Sequence, residues 1–203
     1  NATTPVDPLV ARAMKPCLER IFGNPSSSHW YGVQARKAVE EARGQVAGLL
    51  NCDPEEIIFT SGGSESDNMA IKGAAMANRD SGNHIITSSI EHPAVLEVCR
   101  YLEGEGFRVT FLDVDETGLV DPEELRRAIT PHTILVSVML ANNEVGTIEP
   151  VRELARIAAE QDILFHTDAA QAVGKIPVDV RELEVDMLTV AGHKLYAPKG
   201  IGA

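Results

Sequence analysis

Lys194 occupies a position where a lysine amine could do covalent chemistry. The segment Gly192-His193-Lys194 follows the largely apolar run 187–191, and Pro198 comes shortly after it. The glycine and the proline predict a constrained loop, which weakens the ordinary alternative of a freely solvated lysine. A neutral lysine amine at the mouth of a buried strand can form a Schiff base with a carbonyl compound.

Asp168 is a second candidate, because it comes just after the strongly apolar stretch 163–165. A carboxylate at the end of a buried strand needs a partner, since an unpaired buried charge is costly. A protonated nitrogen of a heterocyclic ring would be such a partner. A salt bridge to an arginine or lysine, or the capping of a following helix, is the alternative that the sequence leaves open.

The turn Gly62-Gly63-Ser64 lies between an apolar stretch, 57–60, and a predicted helix. Free backbone N–H groups at a helix start can hold a phosphate, to which the hydroxyl of Ser64 would add a donor. An ordinary turn with a serine N-cap is the alternative. Neither the G-x-x-x-x-G-K-[ST] motif nor the G-x-G-x-x-G motif is present, which disfavours a nucleoside-triphosphatase loop and a dinucleotide site.

His92 precedes Pro93, which is expected to open a helix. At such a corner the imidazole could stack on a flat ligand ring or transfer protons near neutral pH. A histidine that only caps the helix is the alternative.

The elements that must position these residues alternate between short apolar strands and helices. Strands are predicted at 57–60, 84–88, 108–114, 133–140, 163–166 and 187–190, with helices between them. This pattern is typical of an α/β fold with a mostly parallel sheet that helices cover on both faces. In such sheets ligands bind beyond the carboxyl ends of the strands, where all four candidates and the polar segment 142–144 are expected.

Composition narrows the class of protein. The 203 residues allow one sizeable domain, and the net charge of −12 argues against nucleic acid as the main partner. The longest apolar runs are too short to span a bilayer. The three cysteines, Cys17, Cys52 and Cys99, lack metal-ligand spacing, so no metal site is predicted, and they fit a reducing cytoplasm. A chain that starts at Asn1 and stops at Ala203 is expected to be part of a longer protein.

Taken together, the four candidates supply an anion site, a stacking ring, a carboxylate for a ring nitrogen and an amine. Pyridoxal 5'-phosphate needs all of these groups. Seven segments extend the pattern over nearly the whole chain: NATTPVDP (1–8), GNPSSSHWYG (23–32), FTSGGSESDN (59–68), EHPAV (91–95), ANNEVGTIEP (141–150), HTDAAQAVGK (166–175) and GHKLYAPKGIGA (192–203). With them the chain resembles the pyridoxal-phosphate-dependent cysteine desulfurases of the NifS/IscS type, in class V of the aminotransferase fold.

The resemblance implies a role for each matching residue, and with it the large domain of the PLP-dependent transferase fold type I. Lys194 would bond covalently to the cofactor, and His92 would stack on its ring and assist proton transfer. Asp168 would pair with the pyridine nitrogen and Gln171 with the phenolic oxygen. Two further roles follow from the same match: Asn143 would contact cofactor or substrate, and Gly63, Ser64 and His193 would bind the phosphate.

Three positions depart from the family pattern. Ala191 replaces a frequent serine, which removes one hydroxyl donor for the phosphate and could lower cofactor affinity. Ser64 replaces a threonine and keeps the hydroxyl, and Ala197 replaces a glycine with little expected effect.

The implied activity is the conversion of L-cysteine to L-alanine, with the sulfur passed on as a persulfide for iron–sulfur cluster assembly or tRNA thiolation. The family also implies a homodimer, a sulfur-acceptor protein and a small C-terminal domain. The persulfide-forming cysteine and the arginine that binds the substrate carboxylate would lie beyond position 203, so residues 1–203 alone are expected to be inactive.

Other functions stay open from the sequence. Selenocysteine lyase and other class V aminotransferases would share Lys194, Asp168 and His92. An alternative from a different functional class is a truncated, non-catalytic homologue that serves as a scaffold partner. A nucleotide-binding α/β protein is disfavoured by the missing motifs.

Overall fold

The computed structural model describes residues 2–203, which form helices and a single five-stranded sheet. The helices are α1 (Pro8–Glu19), α2 (Trp30–Leu50), α3 (Gly63–Ala77), α4 (Pro93–Gly104), α5 (Pro122–Ala128), α6 (Val151–Ala159) and α7 (Val180–Leu183). The strands are β1 (His84–Ser88), β2 (Arg108–Leu112), β3 (Thr133–Ser137), β4 (Leu164–Asp168) and β5 (Met187–Thr189). Two 3-10 helices, Pro54–Glu56 and Gly192–Lys194, complete the described elements.

The sheet has the order β2-β1-β3-β4-β5, and every neighbouring pair of strands is parallel. This confirms the predicted α/β fold with a parallel sheet. Because all five strands run the same way, their carboxyl ends meet at one edge of the sheet. The loops after β1, β3, β4 and β5 therefore deliver their side chains to the same place.

Helices cover both faces of the sheet because successive strand residues point to opposite sides. On β1, Ile85 belongs to the apolar cluster under α3 and α4, whereas Ile86 belongs to the cluster under α5 and α6. On β3, Leu135 and Val136 divide in the same way. All residues of β1 and β3 are buried, which explains why consecutive apolar residues, 85–86 and 134–136, stand at the centres of these strands.

Three details of the predicted elements were wrong. The stretch 57–60 is not a strand: Thr60 makes one isolated antiparallel bridge with Gly202, and the preceding residues have no ladder partner among residues 2–203. The strands β2 and β3 end earlier than predicted, at Leu112 and Ser137, although the N–H groups of Val138 and Leu140 still donate to carbonyl oxygens of β4. The short helix α7 was not predicted, since four residues are too few for a helical period.

No helix within residues 2–203 combines the length and the hydropathy that crossing a bilayer requires.

Candidate active site

One cavity of about 630 Å³ lies beyond the carboxyl ends of the strands. All eight residues for which the sequence predicts a role line it: Gly63, Ser64, His92, Asn143, Asp168, Gln171, His193 and Lys194. These residues come from five separate parts of the chain, and the parallel sheet is what brings them together.

The glycine turn at the start of α3 presents free backbone donors to this cavity. The N–H groups of Glu65 and Ser66 both donate to the carbonyl oxygen of Gly62, each at 3.1 Å. The N–H groups of Gly63 and Ser64 come first in the helix, where the helix itself offers no acceptor. Gly62 has φ of +154°, a conformation that residues with a side chain rarely adopt. Because Gly62 is the N-cap, the alternative of a serine N-cap at Ser64 was wrong.

Three basic side chains, those of His193, Lys194 and Lys199, line the same cavity. Together with the amides at the start of α3 they make this part of the cavity suited to an anion. Partial burial and the positive charges of Lys194 and Lys199 lower the pKa of His193. The sequence analysis did not single out Lys199, which lies outside the Gly-His-Lys core of its segment.

The N-terminal segment holds the Lys194 loop in place. The backbone N–H of Thr4 donates to the carbonyl oxygen of His193 at 2.8 Å. The Thr4 hydroxyl accepts the N–H of Tyr196 at 2.8 Å, and Nδ1 of His193 lies 3.1 Å from the Thr3 hydroxyl. Gly192 packs so tightly that an added Cβ would lie 2.7 Å from a side-chain carbon of Ile201. The loop is therefore constrained, as the sequence predicted.

Asp168 ends β4 and is only 5% exposed. Its Oδ1 accepts the backbone N–H of Ala170 at 2.9 Å, which satisfies one oxygen locally. Burial raises the pKa of this carboxyl, while Lys194 and His92 act in the opposite direction. Within residues 2–203 Asp168 makes no salt bridge, so the alternative of an ion pair with arginine or lysine was wrong.

His92 fits both interpretations that the sequence allowed. It is the N-cap of α4, and its Nδ1 accepts the N–H of Ala94 at 3.1 Å. Since Nδ1 is the acceptor, a neutral His92 carries its proton on Nε2. The same imidazole lines the cavity, so capping fixes the ring while leaving the Nε2 hydrogen available to a ligand.

Asn143 is exposed in a loop that its neighbour Asn142 stabilises. Oδ1 of Asn142 accepts the N–H groups of Glu144 and Val145, and Nδ2 donates to the carbonyl oxygen of Ile90. Asn142 is therefore the structural member of the pair, and Asn143 is the one that reaches the cavity.

The sequence analysis missed one buried acid of the cavity. Asp67 lies on α3 and is 2% exposed, and burial together with the charge of Asp168 raises its pKa to about 8. The available signal was a charged residue on the face of α3 that also carries Ile71 and Ala74, which are buried. Glu91, which the sequence placed at a strand end, is fully enclosed behind His92, and burial raises its pKa to about 8.

The sequence profile of the family described as Aminotransferase class-V matches residues 1–203. The chain belongs to this family. A curated relative, the cysteine desulfurase IscS of Dictyoglomus turgidum, is 57% identical over 202 residues, which cover 100% of this chain and 51% of the relative. The cysteine desulfurase of Mus musculus is 53% identical and is covered to 44% of its length. The chain thus spans about half the length of the curated relatives it matches.

Solved structures show the same similarity in three dimensions. A structure named "SspA in complex with cysteine" superimposes with a TM-score of 0.96 at 45% identity, covering 99% of this chain and 58% of that protein. A structure named "NIFS-LIKE PROTEIN" gives a TM-score of 0.96 at 44% identity, with 99% and 56% covered.

Class V aminotransferases and cysteine desulfurases depend on pyridoxal phosphate. The cavity fits this cofactor by its own chemistry. Asp168 is a buried carboxylate with no cationic partner at salt-bridge distance among the described residues, so a protonated ring nitrogen would complete it. The start of α3 offers free amides for a phosphate, and Lys194 offers a primary amine in the same cavity.

Proposed function

We propose that this chain is part of a cysteine desulfurase, which converts L-cysteine to L-alanine and retains the sulfur as an enzyme persulfide. The observation that carries the proposal is the convergence of an amine, a buried carboxylate, a capped imidazole and a helix start on one cavity. Identity above 50% to cysteine desulfurases over the whole chain supports the same reaction.

Each side chain has a defined task in this proposal. The amides of Gly63 and Ser64, with His193, hold the phosphate, and Asp168 keeps the ring nitrogen protonated. Gln171 and Asn143, which line the same cavity, would orient the cofactor and the substrate. The bound cofactor supplies an electron sink for the α-carbon of the substrate.

Lys194 and His92 are the two residues that would transfer protons to and from the substrate. The Lys194 amine would hold the cofactor, and as a free amine it would take the proton of the substrate α-carbon. The Nε2 hydrogen of His92 faces the cavity on a fixed ring, which suits it to proton exchange with the substrate sulfur. Because Nδ1 of His92 is engaged by Ala94, only Nε2 is available for this exchange.

The sulfur transfer needs a thiol that the described cavity lacks. Among residues 2–203, Cys17, Cys52 and Cys99 are the free cysteines, and none of them lines the cavity. We propose that a cysteine thiolate from outside this chain attacks the substrate sulfur. The sulfur–sulfur bond forms as the carbon–sulfur bond breaks, and the electron pair of that bond stays with the β-carbon. A proton is then added at the β-carbon and the proton taken from the α-carbon is returned, which completes L-alanine.

The wider setting is proposed on the same basis. Residues 1–203 would be the cofactor-binding large domain of a homodimeric, cytoplasmic enzyme, with a smaller C-terminal domain elsewhere in the protein. An acceptor protein for iron–sulfur assembly or for thiolation would take the persulfide sulfur. These proposals rest on the relatives, which are about twice as long as this chain.

The test is product analysis with the full-length protein loaded with pyridoxal phosphate. We expect L-alanine from L-cysteine in amounts equal to the sulfur transferred, and no alanine from the Lys194→Ala variant. Alanine from L-selenocysteine alone would favour the lyase, and amino-group transfer to an oxo acid would favour an aminotransferase. A protein that binds the cofactor but converts none of these substrates would overturn the proposal.

A further inference from the structure

Asp67 is a second buried carboxyl group in the cavity that Asp168 lines. It stands one turn into α3, directly after the glycine turn, and it is 2% exposed. Its Oδ1 is buried and has no hydrogen-bond partner among residues 2–203. An oxygen in this position needs an explanation, because a buried polar atom without a hydrogen-bond partner destabilises the fold.

The neighbouring histidine does not neutralise Asp67. Nε2 of His166 lies 3.8 Å from Oδ1 of Asp67, but complete burial lowers the pKa of His166 to about 4. At neutral pH this imidazole is therefore uncharged. Its ring is also engaged elsewhere, with Nδ1 2.9 Å from the Ser137 hydroxyl and Nε2 3.1 Å from the Thr189 hydroxyl. Apart from this uncharged imidazole, no basic side chain of residues 2–203 lies within salt-bridge distance of Asp67.

The surroundings of Asp67 favour its protonated form on balance. Burial is the largest effect and the negative charge of Asp168 is the next; both raise the pKa of Asp67, to about 8. The Thr189 hydroxyl and the Lys194 cation oppose this rise without cancelling it. Glu91, the third acid in this region, is fully buried and is also protonated at neutral pH, because burial raises its pKa to about 8.

Asp168 differs from Asp67 in its surroundings. It accepts the N–H of Ala170 at 2.9 Å, and this hydrogen bond and the charge of Lys194 favour its ionised form. Of two interacting acids in one cavity, the better-stabilised one ionises first, and its charge then keeps the other protonated. A protonated ring nitrogen next to Asp168 would further favour the ionised form of Asp168 and leave the proton on Asp67.

We propose that Asp67 is a positioning residue that carries the proton of this carboxyl pair, so that Asp168 is the only ionised carboxylate facing the cofactor ring. One negative charge then matches the single positive charge of a protonated ring nitrogen. A second carboxylate at this depth would be a buried charge without a partner. This inference rests on the proposed cofactor. It assigns the one proton of the two carboxyl groups to Asp67.

Infrared spectroscopy tests the assignment directly, because a protonated carboxylic acid has a C=O stretching band that a carboxylate lacks. The full-length protein is titrated with and without pyridoxal phosphate, and the Asp67→Asn variant is subtracted from the wild type. We expect a carboxylic-acid band at pH 7 in both states of the wild type that disappears in Asp67→Asn. The Glu91→Gln variant is the control: it loses its own band and keeps that of Asp67.

Two further variants separate proton holding from a merely structural role. Asp168→Asn removes the neighbouring negative charge, so the midpoint of the Asp67 band should move to lower pH. Thr189→Val removes a hydroxyl that favours the charged form, so the midpoint should move to higher pH. Shifts in opposite directions support the proposal even if Asp67→Asn does not fold.

The proposal is overturned if the wild type and Asp67→Asn have the same carboxylic-acid band at pH 7, or if cofactor binding abolishes the Asp67 band. It is also overturned if neither Asp168→Asn nor Thr189→Val moves the midpoint. None of these readouts depends on cysteine turnover. A protein with the expected bands but no alanine production would refute the proposed function and leave the proton assignment intact.

Discussion

Nζ of Lys175 lies 2.6 Å from Oε1 of Gln171 and donates a hydrogen bond to it. A lysine can only donate, so this contact fixes the oxygen of the Gln171 amide on the lysine side. The NH₂ group of Gln171 is then the end that remains for the cavity, which Gln171 lines. This orientation is the one a hydrogen bond to the phenolic oxygen of the cofactor would need.

Replacing Lys175 by methionine should weaken cofactor binding without removing it. The variant keeps the aliphatic stem and loses the donor, so Gln171 is free to turn its oxygen towards the cavity. Loss of one well-oriented hydrogen bond, about 0.5–1.5 kcal/mol, corresponds to a fall in affinity of about 2–10-fold. Titration of the visible absorption band of bound pyridoxal phosphate measures it. The Lys175→Arg control keeps a donor and should bind more tightly than the methionine variant; equal affinities for all three proteins would refute this role.

Ala191→Ser should strengthen cofactor binding. An added Cβ on Gly63 would lie 3.2 Å from the Cβ of Ala191, so a hydroxyl at position 191 would reach the start of α3, where the phosphate is expected. A hydrogen bond to a charged group contributes about 1.5–3 kcal/mol, or about 10–100-fold in affinity. The same absorption titration checks this. Ala197→Ser makes the same chemical change in the same loop at a residue that does not line the cavity, and it should leave affinity unchanged. An unaltered affinity in Ala191→Ser would place the phosphate elsewhere.

The strand starts and the convergence of the candidate residues were predictable from the sequence because each left a local signal. β1 has the bounds that the sequence predicted, 84–88, and parallel strands bring together the residues that follow their carboxyl ends. Lys194, Asp168 and His92 each directly follow such a run or its turn. To predict that these residues lie together, it was therefore enough to recognise a parallel sheet, which strands rich in consecutive apolar residues indicate.

What the sequence could not supply depends on contacts between distant residues. The stretch 57–60 is as apolar as a strand, but sheet formation also needs a neighbouring partner, which pattern alone does not reveal. Asp67 looks like any polar residue of an amphipathic helix. Its burial and unpaired oxygen appear only when α3 packs over β4 and β5. The contact between Lys175 and Gln171 is local, only four residues apart, but it depends on the conformation of the turns after β4.

The buried Glu91 should make the protein less stable as the pH rises. Its Oε1 accepts the Ser88 hydroxyl at 2.6 Å and the Met139 N–H at 2.8 Å, yet complete burial raises its pKa to about 8. Between the ordinary pKa of a glutamate and this value, the folded state holds a proton that the unfolded state has lost. Stability therefore falls as the pH rises through this window, by up to about 1.4 kcal/mol per pH unit for one such group.

Urea unfolding of the cofactor-free, full-length protein at pH 5.5 and pH 8 measures this slope. The Glu91→Gln variant keeps an acceptor for Ser88 and Met139 but cannot ionise, so its unfolding free energy should change less between the two pH values. Asp67 contributes a slope of the same sign, so the variant should flatten the dependence and not abolish it. A variant with the full wild-type slope would show that Glu91 is already ionised at pH 5.5.

His92→Asn should separate the capping function of this residue from its chemistry. Asparagine is a strong N-cap, so its side chain can replace Nδ1 of His92 as the acceptor for the Ala94 N–H. Thermal unfolding should then stay close to that of the wild type, whereas His92→Ala should lose about 0.5–2 kcal/mol of stability. Both variants lack the imidazole, so alanine formation from L-cysteine should fall strongly and equally in the two. If His92→Asn restored activity along with stability, the ring would serve only to begin α4, and another group would have to transfer the proton.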